Sequence, residues 1–559
     1  MLRVLFNEGI GIGIGIGLSL TIVVVAGLLS GGGLALGYLL YPRFIARRRG
    51  RRIGVTLPHV TIFMRALSQT GQNPTTLIHE LAALESVYGD IALEFDVIRK
   101  DTELYNDGLL TALENAKSLT PSDRLREFFD DFVSVLESGG GVRPFLDQKV
   151  AEQLQRTEDE LEELLESLVT LAEAYVSLVF VGPLLLLVVL ILFGLTGSDV
   201  MDYLHLLTYV GIPLGILVSM VAIHQLLRPY RLETGVAFEQ EKPESKPPET
   251  SESWFLEYTK QSHRRRFLRR FQNPLVTLQE KPLYSLSLTV PVALGFVVFA
   301  VVTGILEPTQ EAYLTEPVRF TTGFVVIPML VITVVLMAFH EVKRRRQRSL
   351  EERFPDALYT LASANERGIG FVDGVELVSR RYDDPIASEF RTVSQDIELE
   401  DDVARALTAF ANRLRIARLT LTVSVIRDLT TSTNELAVPL RSLADNLETR
   451  LSLQRARRRE MEMYAIVIIL GVLVYLLVIL VFESFFLPEI TAIPTREPDL
   501  FVGEIPVIPY RTVFFHSALI QAFGNGLLLG LLTDDSLFSG LKYSNALVAL
   551  VLLSFFLMP

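Results

Sequence analysis

The groups in this chain that could do chemistry are seven histidines and a few short acidic or glycine-rich runs, and their spacing decides what they are. His59, His79, His205, His224, His263, His340 and His516 never form a metal pair at helical spacing, and His79-Glu80 lacks the second His that a zinc helix carries four residues after the first. There is no cysteine, hence neither a thiolate metal site nor a disulfide framework. The acidic run DIELEDD (396–402) has neither the turn glycine nor the ligand spacing of a calcium loop, and reads as a solvated helix face. GIGIGIG (11–17) imitates a phosphate loop, but it sits in an apolar span without a basic neighbour, where small residues favour close helix packing. No Gly-Lys pair occurs anywhere, so the chain supplies no Walker-type cradle. Neither a paired Ser/His nor a Gly-x-Gly-Asp element for intramembrane catalysis is evident. The expectation is a non-enzyme with no catalytic, metal-binding or cofactor-binding residue, for which any ATP-driven work comes from a partner.

What positions these residues is a bilayer. The chain is 50% hydrophobic with a mean hydropathy of +0.37, and its apolar residues are concentrated in blocks. About 20 apolar helical residues cross a hydrocarbon core of about 30 Å. Stretches 174–195, 206–227, 283–306, 319–340, 464–487 and 513–532 meet that requirement. A seventh, 544–558, has only 15 residues and reads as tilted, interfacial or incomplete. Residues 10–41, interrupted by Gly31, Gly32 and Gly33, read as a tight hairpin rather than one long tilted helix, and no signal-peptide cleavage site is evident. His516, Gln521 and Asn525 inside 513–532 are expected to make interhelical hydrogen bonds. Glu483 lies too near a span end to serve a transport path, and Pro183, Pro213, Pro291 and Pro328 should bend their helices.

Arg and Lys gather in RFIARRRGRR (43–52), HRRRFLRR (263–270), KRRRQR (343–348) and RARRR (455–459), all on one side if the spans alternate, whereas the opposite loops are poor in basic residues. Short cytoplasmic flanks collect such charge. The organisation expected is therefore a membrane segment over 1–41, a first cytosolic module over 42–170 and a membrane helix pair over 171–227. A cytosolic linker over 228–282 follows, its centre 239–253 charged, Pro-rich and expected to be disordered. A second helix pair covers 283–340, a second cytosolic module 341–463, and C-terminal membrane helices 464–559. Runs such as 151–178 place apolar residues at helical spacing, and breaks such as TGQNP and SGGGVRP separate the segments. The fold class expected is all-α: a polytopic membrane protein with two cytosolic helical-bundle modules. Near Met461 to Ala465 the second module runs into its span without a breaker, a stiff junction that could transmit a push. Nine Lys against 43 Arg and a net charge of −13 suit a high-salt cytoplasm; drift in a GC-rich genome also replaces Lys by Arg.

The two modules are related to each other. Pro58 has a counterpart in Pro355. DTELYND (101–107) aligns with DIELEDD (396–402), which pairs Asp101 with Asp396 and Glu103 with Glu398. Pro144 follows Asp101 by 43 residues, and Pro439 follows Asp396 by 43. Such spacing is the mark of an internal duplication.

The opening LP…L…G…P…L (57–77), the central DG…AL (107–113) and SGGGVRPFL (138–146), followed by an acidic helix feeding two spans, resemble the F-domain of type II secretion systems and type IV pili. The second copy, RFPDALYTLASANERGIGFVDGVELV with NELAVPLRSL, is similar but has Asn434-Glu435 where the first has glycines. Two copies with extra helices before and after them look most like the archaeal branch, the platforms of archaella and adhesive pili. The resemblance implies a multi-pass cell-membrane platform that couples a hexameric cytosolic secretion ATPase to pilin or archaellin subunits. Its contacts would be membrane lipids and these proteins, with a homodimer left open and no nucleic acid. On this reading the partner interface takes in Asp101, Asp396, the turn Gly139, Gly140 and Gly141, Pro144 and Pro439 as shapers of exposed loops, and the basic cluster Lys343, Arg344, Arg345 and Arg346. The alternative is a transporter or channel with cytosolic regulatory bundles, which would call for charged groups within the spans.

Overall fold

The computed structural model describes residues 41–69, 71–104, 108–195, 200–227, 278–279, 281–414, 416–432, 435–486, 488 and 507–557, and among these every regular element is a helix. The expectations for 1–40, for the linker centre 239–253 and for the basic run 263–270 lie outside the described residues.

The two copies match helix for helix. The first runs through 41–68, Pro74–Ala82, a single turn Glu85–Tyr88, Asp90–Leu104, Leu109–Leu119, Asp123–Glu137 and Val142–Tyr175. The second runs through Ile327–Glu366, Phe371–Arg381, Pro385–Glu400, Val403–Leu414, Ala417–Ser432 and Ala437–Val481. Asp101 and Asp396 each stand twelfth in their helix, and Pro144 and Pro439 each stand third. The duplication thus extends to the register of individual residues.

Local chemistry sets the helix ends. Asn73 accepts from the Thr76 N–H at 2.8 Å and Pro74 opens the first turn, where a missing N–H does no harm. In the second copy Asp384 accepts from the Ile386 and Ala387 N–H groups at 3.2 Å, again ahead of a proline. Gly139 at φ +67° turns the chain out of Asp123–Glu137.

By compactness the described residues divide into two units, the first comprising those up to Gln155 together with Ser424–Ser442, and the second comprising the other described residues. In the first unit Phe95, Phe128, Phe129, Phe132 and Phe145 form one ring cluster, with Phe95–Phe129 and Phe132–Phe145 centroids both 5.4 Å apart. Each buried ring contributes about 2–3 kcal/mol.

The stretch Ser424–Ser442, which belongs by sequence to the second copy, brings Asp428 into the field of Tyr88 and Glu80 of the first. Burial is the main cause that raises the Asp428 carboxyl to about 6; the Glu80 charge adds to the rise and Arg427 opposes it. Asp428 therefore holds its proton more tightly folded than unfolded. Its contribution to stability is complete below the ordinary carboxylate value and is lost as pH rises through about 6. Asp428→Asn should be more stable than the parent at pH 7, by about 2 kcal/mol, and nearly equal to it at pH 4. Thermal unfolding of the detergent-solubilised protein at both pH values checks this; a gap that does not change with pH sinks it.

The second unit contains the apolar helices. Seven helices among the described residues are long and apolar enough to cross a membrane: Val142–Phe193, Met201–Leu226, Pro282–Val302, Pro317–Glu366, Ala437–Phe485, Val507–Asp534 and Leu537–Leu557. The seventh corrects the expectation of a short 15-residue segment, because the helix begins at Leu537 and has 21 residues. Its first turns carry Lys542 and Tyr543, which hydropathy discounts although they extend the same helix.

The helix Val507–Asp534 is buried around nearly all of its circumference, so the other spans have a central element. Three of the four prolines expected to bend their helices mark a change in the hydrogen-bond ladder. A π-helical turn stands just before Pro183 (Val176–Val181), before Pro213 (Leu207–Gly211) and before Pro328 (Thr322–Val326). A proline has no N–H and its ring collides with the carbonyl four residues back, so the hydrogen-bond ladder slips by one residue. Pro291 sits inside Leu286–Val302 without such a turn.

Candidate functional site at the base of the long helices

Three helices extend from apolar spans into the duplicated modules without a break: Val142–Phe193 with 52 residues, Pro317–Glu366 with 50 and Ala437–Phe485 with 49. At 1.5 Å per residue each is about 75 Å long, more than twice a hydrocarbon core. The junction expected near Met461 is thus continuous helix, and it has two counterparts.

In each copy an Arg–Glu bridge braces the opening helix against the helix that carries Asp101 or Asp396. Arg49 reaches Glu94 at 2.5 Å and Arg52 reaches Asp90 at 2.8 Å. Arg346 reaches Glu389 at 2.9 Å, and Arg413 also approaches Glu389 at 3.6 Å. Glu94 and Glu389 are each fifth in their helices, so the brace belongs to the repeat. Burial pushes the Glu94 carboxyl up, and Arg49 pulls it back.

Within the second unit a pair of carboxylates gathers the basic residues of two long helices. Asp534, its side chain only 3% exposed, lies 3.1 Å from Arg344 Nη2, 3.0 Å from Lys542 Nζ and 3.8 Å from Arg458 Nη2. Arg344 also donates to the Asp534 carbonyl and to Ser539 Oγ, both at 2.8 Å. Its neighbour Asp535, in the left-handed region at φ +53°, pairs with Arg457 at 2.6 Å. The turn between the last two spans is thereby tied to Pro317–Glu366 through Arg344 and to Ala437–Phe485 through Arg457 and Arg458. Beside it opens a cleft of about 500 Å³ lined by Arg348, Ser452, Arg455, Arg458, Arg459 and Glu462.

The residues singled out by sequence are distributed over both units, and in the second unit Arg346 and Asp396 join one charge network through Glu389 and Arg413. Asp101 lies on Asp90–Leu104 beside Asn115, and Asp396 pairs with Arg413 at 2.7 Å. Gly139, Gly140 and Gly141 form an exposed turn, as expected. Pro144 and Pro439 do not shape exposed loops. Both stand in first turns of helices, where a proline is tolerated, and Pro439 is buried. Of the basic cluster, Arg344 and Arg346 are held in the bridges just described, Arg345 pairs with Glu341 one turn away at 2.9 Å, and Lys343 has no ion pair among the described residues. Sequence reading missed Glu94, Glu389, Asp534 and Asp535. The duplicate register could have exposed the first two, since it already paired Asp101 with Asp396.

The polar residues of the central helix serve packing, as expected. Gln521 Nε2 donates to the Val179 carbonyl at 2.8 Å, and Val179 is the residue whose carbonyl the Pro183 ring displaces. Asn525 donates to Gln521 at 2.6 Å and accepts from the Tyr175 hydroxyl, with all three side chains buried. His516 joins Tyr209 at 2.6 Å and Thr321 at 2.9 Å. At the other end of the spans Glu483 pairs with Arg511 at 2.7 Å. Among the described residues no group of three or more His, Asp or Glu could hold a metal ion.

Residues 61–190 and 357–482 each match the family described as type II secretion system (T2SS), protein F. An uncharacterized protein of Methanocaldococcus jannaschii is 20% identical over 521 residues, covering 90% of this chain and 80% of its own length. No solved structure matches the chain.

Proposed function

We propose, from the match of both copies to the family described as type II secretion system (T2SS), protein F, that the chain is the integral-membrane platform of a type IV pilus-like or archaellum assembly machine. In this reading a cytosolic secretion ATPase drives the chain, and the spans move pilin or archaellin subunits into or out of the bilayer. The family is one of membrane platform proteins of secretion and pilus assembly. The observation that carries the coupling is the unbroken passage of three helices from the modules into apolar spans. A continuous helix passes on axial displacement or rotation that a hinged connection would absorb. The basic flanks 43–52, 343–348 and 455–459 support a cytosolic position for both modules. A relative from an archaeon over 90% of the chain supports the archaeal branch. The chain carries no nucleotide cradle, so the energy source is the partner.

Deletion of the gene should remove surface filaments completely, as counted by electron microscopy. Swimming and adhesion assays then separate archaellum from pilus, and filaments at wild-type number would refute the platform reading. Within the basic cluster Lys343 has no ion pair among the described residues and the Arg345 side chain is 78% exposed, so these two are the candidate ATPase contact. Lys343→Gln with Arg345→Gln should lower co-purification of the ATPase by about tenfold, equivalent to about 1.4 kcal/mol, with the membrane level of the protein unchanged. Co-purification at the wild-type level removes these two side chains from the interface.

A further inference from the structure

We propose that the arginine cleft of the second unit is a binding site for the phosphate headgroup of an anionic phospholipid, with the acyl chains lying along Ala437–Phe485 below it. Four of its six lining residues are arginines, whose planar guanidinium groups bind phosphate oxygens in pairs. Arg348, Arg455 and Arg458 have carboxylate neighbours at 2.8, 3.2 and 3.0 Å in Glu352, Glu448 and Glu462. Such part-exposed pairs are weak and readily exchanged for a stronger anion. Arg459 is exposed and has no ion pair among the described residues.

Depth favours a lipid over a soluble anion. Arg459 precedes Met463, the first exposed apolar residue of the span, by about 6 Å along the helix, and Arg455 by about 12 Å. That is the depth of the headgroup layer outside the hydrocarbon core. Face favours it too. Arg455, Arg459, Met463, Ile466, Leu470, Val474 and Leu477 follow one another at three- and four-residue steps, so they form a single stripe. Met463, Ile466, Leu470, Val474 and Leu477 are all exposed on it. A cationic cleft at the head of an exposed apolar stripe matches a phospholipid in both chemistry and length, whereas inorganic phosphate or a nucleotide would use only the cleft.

The test uses the full-length chain purified in neutral detergent, with thermal unfolding followed as phosphatidylglycerol, phosphatidylcholine, inorganic phosphate or ATP is added. Phosphatidylglycerol should raise the unfolding midpoint and half-saturate at about one-tenth the concentration of phosphatidylcholine, a factor typical of one charge-assisted contact set. Phosphate and ATP should leave the midpoint unmoved. Arg455→Gln with Arg459→Gln should abolish the difference between the two lipids without shifting the lipid-free midpoint, and the paired Lys substitutions should retain part of it. Should the double variant fold poorly, Arg459→Gln alone removes the side chain that has no internal partner. Equal responses to both lipids, an equal response to phosphate or ATP, or an undiminished preference in the Gln variant would each overturn the assignment.

Discussion

Asp534→Ala should unfold far more readily than the parent, by about 3–5 kcal/mol, because it strips the counter-charge from Arg344 and Lys542 where both are partly buried. The main penalty is the stranded charge rather than the lost attraction. Asp534→Asn should be intermediate, since the amide oxygen still accepts a hydrogen bond. Arg344→Gln combined with Asp534→Asn should be more stable than Asp534→Asn alone, because the pair removes one cation along with its partner. Thermal unfolding in detergent measures all three. An Asp534→Ala midpoint equal to the parent, or a double variant worse than the sum of its singles, would show that the carboxylate does not hold these helices. If the chain is the platform proposed above, filament assembly should be lost in Asp534→Asn even at wild-type membrane levels, because Arg344 stands on one long helix and Arg458 on another, and both converge on this side chain.

Gly530→Ala should be nearly as damaging. A Cβ at Gly530 would fall inside the Gly540 backbone, and one at Gly526 inside the backbone of Ser544. Gly526-x-x-x-Gly530 on Val507–Asp534 faces Gly540-x-x-x-Ser544 on Leu537–Leu557, the small-residue pattern by which membrane helices approach closely. Backbone cannot move aside as the end of a side chain can, so the hairpin must spread, at an expense of about 3 kcal/mol. Spreading would also move Asp534, one helical turn beyond Gly530, away from Arg344. Limited proteolysis in membranes should therefore cleave Gly530→Ala near residues 534–537 faster than the parent. Gly295→Ala, at a position with open space around it, is the matched control. Equal cleavage of all three proteins would show that the close approach is dispensable.

Much of this architecture follows from local sequence. Helices are legible because apolar residues recur at helical spacing and because Asn73-Pro74 and Asp384-Pro385 announce helix starts. The duplication is legible because Asp101 to Pro144 and Asp396 to Pro439 are equally spaced. Span positions follow from hydropathy, except at 537–543, where Lys542 and Tyr543 interrupt the apolar count without interrupting the helix. Prolines 183, 213 and 328 announce a one-residue slip in the ladder, since the missing N–H is a property of the residue itself. The pairing of Gln521 with the carbonyl freed by Pro183 is not legible, because Gln521 lies 342 positions along the chain from Val179, which carries that carbonyl.

The candidate site was hidden for the same reason. KRRRQR and RARRR read as topology signals, and their composition does not separate a solvated arginine from a bridged one. Arg344 and Arg345 are chain neighbours on one helix, yet they point in directions about 100° apart, so one meets Asp534 and the other faces water. Composition and periodicity were enough for two helical modules, their relation to each other and their attachment to apolar spans, because those properties are written in residue types and short spacings. Which arginines are bridged, which face the open cleft, and that Ser424–Ser442 packs with the first copy all depend on contacts between residues distant along the chain. Such contacts arise only when helices dock, since charge pairing acts over a few ångströms in space and is indifferent to separation in sequence.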